Sequence, residues 1–233
     1  MKIIVFIFAR GNSKGIKNKN LLKFKKTTLL GHAIQQAKKV KYVKEVFVST
    51  DSKKILNYVK RYDVKIPFLR PKKFAKDNSP EIDAWRHAIK HLKKRMNLTP
   101  NYIISVPATC PLRKVSDINT CLKKALKKKL DMVFTVTKSY RNPYFNIITK
   151  KSNKIDVVSK FFDKKNKKII KRRQDAPKCF DLTTACYVFK PEYIIKTKNV
   201  FSGKIDFIEI PKERGIDIDD IHDYKLVKLM ANK

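Results

Sequence analysis

The sequence predicts an α/β protein built on a mainly parallel sheet with helices on both faces, and two observations carry that expectation. Short apolar runs, IIVFIF at 3–8, VFVS at 46–49, YIISVP at 102–107 and MVFTV at 132–136, alternate along the chain with segments of helical period. Their apolar residues follow one another with few polar breaks, as suits strands buried on both faces. With 233 residues, 42% of them apolar, the chain can fill the core of one large domain.

Residues 2–8 are read as the first strand, which stops at Arg10. Residues 29–40 are helical, with Leu30, Ile34, Ala37 and Val40 on one face. A second strand at 46–49 ends at Thr50-Asp51, a helix follows at 53–62, and a third short strand at 65–69. Ser79-Pro80-Glu81 reads as a helix start, Ser79 being the N-cap and Pro80 the first helical residue. Ile82, Trp85, Ile89, Leu92 and Met96 then fall on one apolar stripe. A fourth strand at 102–107, a helix at 115–129 with a solvated lysine face, and a fifth strand at 132–136 complete this half.

From about Tyr140 the pattern loosens. Short β-like stretches at 145–148, 155–158 and 186–189 alternate with Lys/Asn-rich turns. Residues 140–177 are therefore read as an inserted β-rich lobe within a single domain spanning 1–233. A strand at 207–210 and a helix at 219–230 close the chain.

The chemistry concentrates after the first strand. Arg10, Ser13, Lys14, Lys17, Lys19 and Asn20 share one short loop with Gly11 and Gly15, two of only five glycines in the protein. A buried strand feeding a glycine-bearing basic loop presents backbone N–H groups and cations to one point, which suits a polyphosphate. The spacing is neither a Walker A loop nor a dinucleotide fingerprint. Arg10, Asp51, Arg70 and Thr109 each follow a predicted strand, and in open α/β sheets ligands bind beyond the carboxyl ends of the strands.

Asp217 and Asp219 stand two apart in GIDIDD. In extended chain they point to the same side, and two close carboxylates call for a cation between them; Mg²⁺ bridged to phosphate fits such oxygen ligands. The plain alternative is that Asp219 or Asp220 caps the last helix. Both hold together if Asp219 meets the metal and Asp220 the helix. His87 and His91 have the i, i+4 spacing of a zinc pair, but HAIKH lacks the glutamate of metalloprotease chemistry, so they read as half-exposed histidines. His222 is given no role.

The formal net charge is +36, which raises a polyanion-binding module as a rival function. The lysines, however, are spread over every segment, and no nucleic-acid-binding motif accompanies them. No apolar run approaches the roughly 20 residues of a membrane helix, and the short N-terminal run has no cleavage site after it. A cytoplasmic protein without membrane or specific nucleic-acid partners is expected. Cys110, Cys121, Cys179 and Cys186 form no C-x-x-C pair and read as reduced thiols in or near the core.

Six ordered motifs, ARGNSKGIKNKN at 9–20, STD at 49–51, LRP at 69–71, ATCPLR at 108–113, RRQDAP at 172–177 and DIDD at 217–220, resemble those of the CMP-sugar synthetases. These are cytidylyltransferases that act on sialic acids and related acidic sugars, and the likeness spans nearly the whole chain. It implies a Rossmann-like nucleotidyltransferase sheet whose inserted lobe serves as a dimerisation arm. It implies attack of a sugar hydroxyl on the α-phosphate of CTP, with an acidic nine-carbon sugar as acceptor, Mg²⁺ as cofactor and a homodimer as the assembly. Carried over by motif, Arg10 and Lys19 grip the triphosphate, Ser13 and Asn20 lie beside the nucleotide, and Arg70 adds a nucleotide contact. Asp217 and Asp219 are the implied metal carboxylates, and Arg173 faces the sugar carboxylate while Arg172 stays at the surface.

Two departures bear on the sugar. Pro107 stands where better-known members of that family have glutamine, and Thr183-Thr184 stands for their Asn-Gly. The sialic branch is preferred over the related CMP-Kdo synthetases because STD, RRQDAP and the full first loop look more like it.

Overall fold

The N-terminal apolar run forms β1 (Ile3–Phe8) in a computed structural model that describes residues 1–76, 79–152, 154–162, 170 and 172–232. A two-stranded ribbon, β2 (Lys23–Phe24) with β3 (Thr27–Thr28), leads into α1 (Leu29–Lys38). Then come β4 (Val43–Ser49), α2 (Lys53–Val59), α3 (Glu81–Met96), β5 (Tyr102–Ser105), α4 (Val115–Lys128) and β6 (Met132–Lys138). β7 (Ile148–Lys151), β8 (Lys154–Val157) and α5 (Val158–Phe162) follow, and β9 (Phe180–Phe189), α6 (Pro191–Lys196), β10 (Ile205–Glu209) and α7 (Ile221–Ala231) end the chain. The main sheet has six strands in the order β10-β6-β9-β5-β1-β4. β1 runs parallel to β4 and to β5, and β10 parallel to β6, while β9 pairs antiparallel with β5. The expected mixed, mostly parallel sheet is thus present.

The alternation of β1 divides the core. Ile3, Val5 and Ile7 pack with α1, α2, α4 and α7 on one face, and Ile4 and Phe6 pack with Trp85, Leu92 and Ile194 of α3 and α6 on the other. Caps fix where the helices begin: Thr28 Oγ1 accepts the Gly31 N–H at 3.0 Å, and Ser52 Oγ accepts from Ile55 at 3.3 Å. Among the described residues no helix is long and apolar enough to cross a membrane. The four cysteines are free, three of them buried, and burial pushes the Cys110 thiol up to about 12.

Several expected elements are corrected. Residues 65–69 are not a strand: they meet β4 and the residue just after it through isolated bridges at Phe47↔Lys65 and Thr50↔Leu69, and Pro67 between them has no N–H to donate. Ser79 does not cap α3. Its hydroxyl donates to the Lys73 carbonyl at 2.8 Å, and Pro80, still extended at ψ 140°, occupies the cap position itself. Met96 leaves the apolar stripe, since the chain reverses at Asn97 (φ 47°) and buried Leu98 folds back with its N–H on the Leu92 carbonyl. Residues 145–147 form a turn rather than a strand, their amides converging on the Asn142 carbonyl. The last helix starts at Ile221, two residues later than expected, with Asp220 as its cap.

The chain divides into two compact units, Met1–Val136 with Thr183–Lys233, and Thr137–Leu182. The lobe expected at 140–177 falls partly outside the described residues, at 153, 163–169 and 171. Within the second unit β7 and β8 form an antiparallel hairpin that pairs Ile148 with Val157 and leaves Ile148 and Ile155 exposed.

Candidate active site

Four chain segments of the first unit meet beyond the carboxyl ends of β1, β4 and β5. The first is the loop after β1. The Ala9 N–H donates to the Ser49 carbonyl at 2.9 Å, so the loop leaves the sheet beside β4. Asp51, just past β4, accepts the Gly11 N–H at 2.8 Å, and Asn20 Nδ2 returns to donate to the Arg10 carbonyl at 2.9 Å. The loop is therefore closed on itself and pinned at both ends.

The second segment brings Arg70, whose amide donates to the Thr50 carbonyl at 2.7 Å. Its guanidinium is only 5% exposed and lies 3.8 Å from the Asp51 carboxylate, while Nε and Nη2 have no hydrogen-bond partner. Burial lowers its pKa from the usual arginine value, with Asp51 opposing. A desolvated cation with unspent donors is well suited to an incoming anion.

The third segment is 107–113 after β5, and the fourth is 216–220 before α7. They are stitched together by the Ile218 N–H, which donates to the Thr109 carbonyl at 2.9 Å. Asp217 presents a buried Oδ1 that no donor satisfies. Asp219 is mostly exposed and pairs with the nearly buried Lys19 at 3.2 Å.

A pocket of about 330 Å³ opens among these segments. Arg10, Ser13, Lys19, Asn20, Arg70 and Asp217 all line it, so six of the eight residues singled out from the sequence share one cavity. Asp219 is not in its lining and reaches it only through Lys19. Arg173 belongs to the second unit, where its Nη2 donates to the Tyr140 carbonyl at 2.6 Å and its guanidinium sits 5.0 Å from the Tyr140 ring centre; Arg172 pairs with Asp175. Both departures from the family pattern, Pro107 and Thr184, are in the pocket wall. A larger cleft of about 650 Å³, between the C-terminal half of α3 and α6, is lined by none of the eight.

One pocket residue escaped the sequence reading. Glu81 opens α3 and lines the pocket, where part of its surface remains open. Burial, reinforced by the charge of Asp217, raises it to about 7. Arg70 holds the rise back. An acid in a first helical turn normally marks nothing more than the helix dipole, so no sequence signal distinguishes it.

The carboxylates can be tested against a divalent metal. Asp217 offers an unsatisfied carboxylate oxygen, and Glu81, raised mainly by burial with the Asp217 charge adding to it, lines the same pocket. Hard oxygen donors in this setting fit Mg²⁺, which takes one or two carboxylates and completes its shell with phosphate and water. Among the described residues no three His, Cys, Asp or Glu side chains cluster as a closed metal cage. His87 and His91 both pack on the Phe68 ring, each at 4.6 Å.

Comparison with known proteins bears on the chemistry. The family model described as Cytidylyltransferase matches residues 4–224. The chain is 29% identical over 232 residues to "Post-translational flagellin modification protein B" of Campylobacter coli, covering 100% of this chain and 96% of that one. It is 29% identical over 231 residues to the "CMP-N,N'-diacetyllegionaminic acid synthase" of Campylobacter jejuni, covering 99% and 95%. Among solved structures, a CMP:2-keto-3-deoxy-manno-octonic acid synthetase complexed with CTP superposes with a TM-score of 0.72 at 14% identity, over 100% of this chain and 99% of that one, which is a likeness of fold.

Proposed function

The chain belongs to the cytidylyltransferase family, and we propose that it transfers CMP from CTP to a sialic-acid-type, nine-carbon acidic sugar, releasing pyrophosphate. The observation that carries this reading is that Arg10, Lys19 and Arg70 line one pocket together with Asp217. The three cations, with the N–H groups of the closed loop, would neutralise a triphosphate. Positioning and charge compensation are the main needs of phosphoryl and nucleotidyl transfer. The new bond joins a sugar hydroxyl oxygen to the α-phosphorus. The bond to the bridging oxygen of the β-phosphate breaks, pyrophosphate leaves with that oxygen, and the hydroxyl proton is lost to solvent or a carboxylate. Asp217 and Asp219 would hold Mg²⁺, which supplies Lewis acidity and a more acidic hydroxyl when bound. The rival reading as a polyanion-binding module rested on charge alone and gains nothing from the pocket.

The name of the legionaminic acid relative supports a nonulosonic acceptor for this chain too, and with it a place in cell-surface glycan synthesis such as lipopolysaccharide or capsule. Pro107 and Thr184 in the wall are the positions from which such a preference would be read. Arg173 is assigned to the sugar carboxylate, since a planar guanidinium suits a two-point contact. A homodimer formed through the second unit is part of the same reading, supported by the exposed Ile148 and Ile155 of its hairpin. So is a cytoplasmic location, where CTP is available.

The test is pyrophosphate release from CTP and Mg²⁺ with a panel of acidic sugars: N-acetylneuraminate, diacetyllegionaminate, pseudaminate and Kdo. The highest kcat/KM is expected with a nine-carbon sugar. Preference for Kdo would move the enzyme to the eight-carbon branch, and no release with any sugar would refute the reading. Light scattering on the purified protein tests the dimer.

A further inference from the structure

Arg113 is the bulkiest of the side chains sealed inside the described protein. It makes no ion pair among the described residues. Its Nη1 donates to the carbonyls of Pro107 at 2.6 Å and Cys110 at 2.7 Å, while Nε and Nη2 have no partner. Burying a guanidinium without a counter-ion is expensive, and a well-packed apolar side chain of the same length would normally serve stability better. What the cation does hold is the turn 107–113, by drawing two of its carbonyls onto one nitrogen.

That turn is also held from below by α1. Gln36 Nε2 donates to the Arg113 carbonyl at 2.7 Å, and His32 Nε2 lies 3.2 Å from the Pro111 carbonyl. Burial, with the Arg113 charge next, lowers His32 to about 4, so the ring is neutral and its proton sits on Nε2 facing that carbonyl. Above, the turn meets the acidic segment twice. Thr109 accepts the Ile218 N–H, and Cys110 Sγ lies 3.2 Å from the Arg214 carbonyl. Arg214 is itself tied to Asp117 of α4 at 2.9 Å. The wall residues Pro107 and Thr109 and the carboxylate of Asp217 therefore depend on one turn, and that turn closes on Arg113.

We propose that Arg113 is a positioning residue: from outside the pocket it closes the 107–113 turn, so that the Thr109 carbonyl fixes Ile218 and sets the Asp217 carboxylate opposite the phosphate loop. The effect on turnover rests on the cytidylyl-transfer reading, whereas the effect on the turn does not. Arg113→Met, which keeps length and volume, should fold with little change in Tm and lose about a hundredfold in kcat, the scale of a roughly 1 Å misplacement of reacting groups. The CTP KM should stay within about threefold, because the loop after β1 is untouched. Amide exchange in a peptide covering 214–220 should accelerate at least tenfold, with β1 unchanged as the internal reference. Arg113→Lys should recover part of both losses, since an ammonium can reach a carbonyl but not reproduce the fork.

Gln36→Leu leaves Arg113 in place and frees its carbonyl from α1. If Arg113→Met does not fold, a milder form of the same pattern in Gln36→Leu carries the test. A folded Arg113→Met variant with wild-type kcat and wild-type exchange at 214–220 would overturn the proposal. So would a loss of Tm with kcat per folded molecule intact. If the wild-type protein released no pyrophosphate, the enzymatic reading would fall, and exchange at 214–220 would still decide the role of Arg113.

Discussion

Gly15 lies in the basic loop after β1 with its Cα against the backbone of the acidic segment, and Gly15→Ala is the sharpest probe of that approach. A Cβ built there stands 2.0 Å from the Asp219 carbonyl oxygen and 3.1 Å from its carbon, where real contacts do not fall below 3.0 Å. The two segments must part by about 1 Å. Neither yields easily. The Asp219 side is held by Ile218 on Thr109 and by the Asp219 and Asp220 amides on the Asp223 carboxylate; the loop side is held by Gly11 on Asp51 and Asn20 on Arg10. Overpacking of this kind costs about 1–3 kcal/mol, which for a chain of this size is a fall of roughly 2–10 °C in Tm. Displacing the cationic loop from the carboxylates by about 1 Å should cost on the order of a hundredfold in kcat/KM. Pyrophosphate release under steady state, normalised to folded enzyme, measures the second effect, and thermal melting the first. Gly203→Ala is the matched control. Its Cβ would lie 2.4 Å from the Tyr193 ring, away from the pocket lining, so Tm should drop while turnover per folded molecule persists. A Gly15→Ala enzyme with wild-type kinetics would show that the two segments need not be in register, and the reasoning would fail.

Arg10→Ala should lose on the order of a hundredfold or more in turnover, as removal of a transition-state charge partner does, whereas Lys128→Ala, which gives up only a surface pair with Asp206, should change it less than about twofold; equal behaviour would make the loop an ordinary turn. Asp219→Ala, or EDTA on the native protein, should abolish pyrophosphate release while circular dichroism stays unchanged, and activity surviving either treatment would count against the metal. Arg173→Ala should raise the sugar KM by roughly ten- to hundredfold and leave that of CTP alone, with partial rescue by lysine; a rise in the CTP KM instead would move Arg173 to the triphosphate. Glu81, ordinarily near 4.5, is raised to about 7, so between those values the folded protein keeps a proton that the unfolded chain has released. Stability should therefore fall as pH rises through that window, and Glu81→Gln should flatten the slope in denaturant titrations run from pH 4.5 to 8.

The sheet was legible because strands buried on both faces are written as unbroken apolar runs, and β1 is the clearest of them. Where pairing depends on a single residue, composition misled. Residues 65–69 have strand-like apolar content, yet Pro67 limits them to two bridges; residues 145–147 are apolar enough for β structure, yet Asn142 gathers their amides into a turn. In the pocket, the loop after β1 was readable because glycines and cations coincide there, and Asp217 through its GIDIDD segment; the two-residue spacing did not bring Asp219 into the same lining, since Asp219 is exposed and pairs with Lys19. Glu81 was not readable, as its position gives it an ordinary structural role. Arg113 stood in plain view within ATCPLR. Nothing in a sequence so rich in surface cations separates a sealed guanidinium from a solvated one; only its burial under the turn reveals it.

Pro67 has a further effect on how this molecule lives among copies of itself. β4 is an outermost strand of the main sheet, and among the described residues the segment that Pro67 interrupts runs beyond it. An open strand edge is an invitation to pair with another chain, and proline is a common means of refusing it. At the opposite border β10 carries Asp206, held by Lys124 and Lys128, so that edge is studded with charge. A net +36 adds long-range repulsion between molecules at low salt. Replacing Pro67 with valine would lengthen the β4 partner into a smooth strand and expose a template for edge-to-edge assembly. Fibrillar or amorphous aggregation in salt that screens the charge, absent from the native protein, would be its signature.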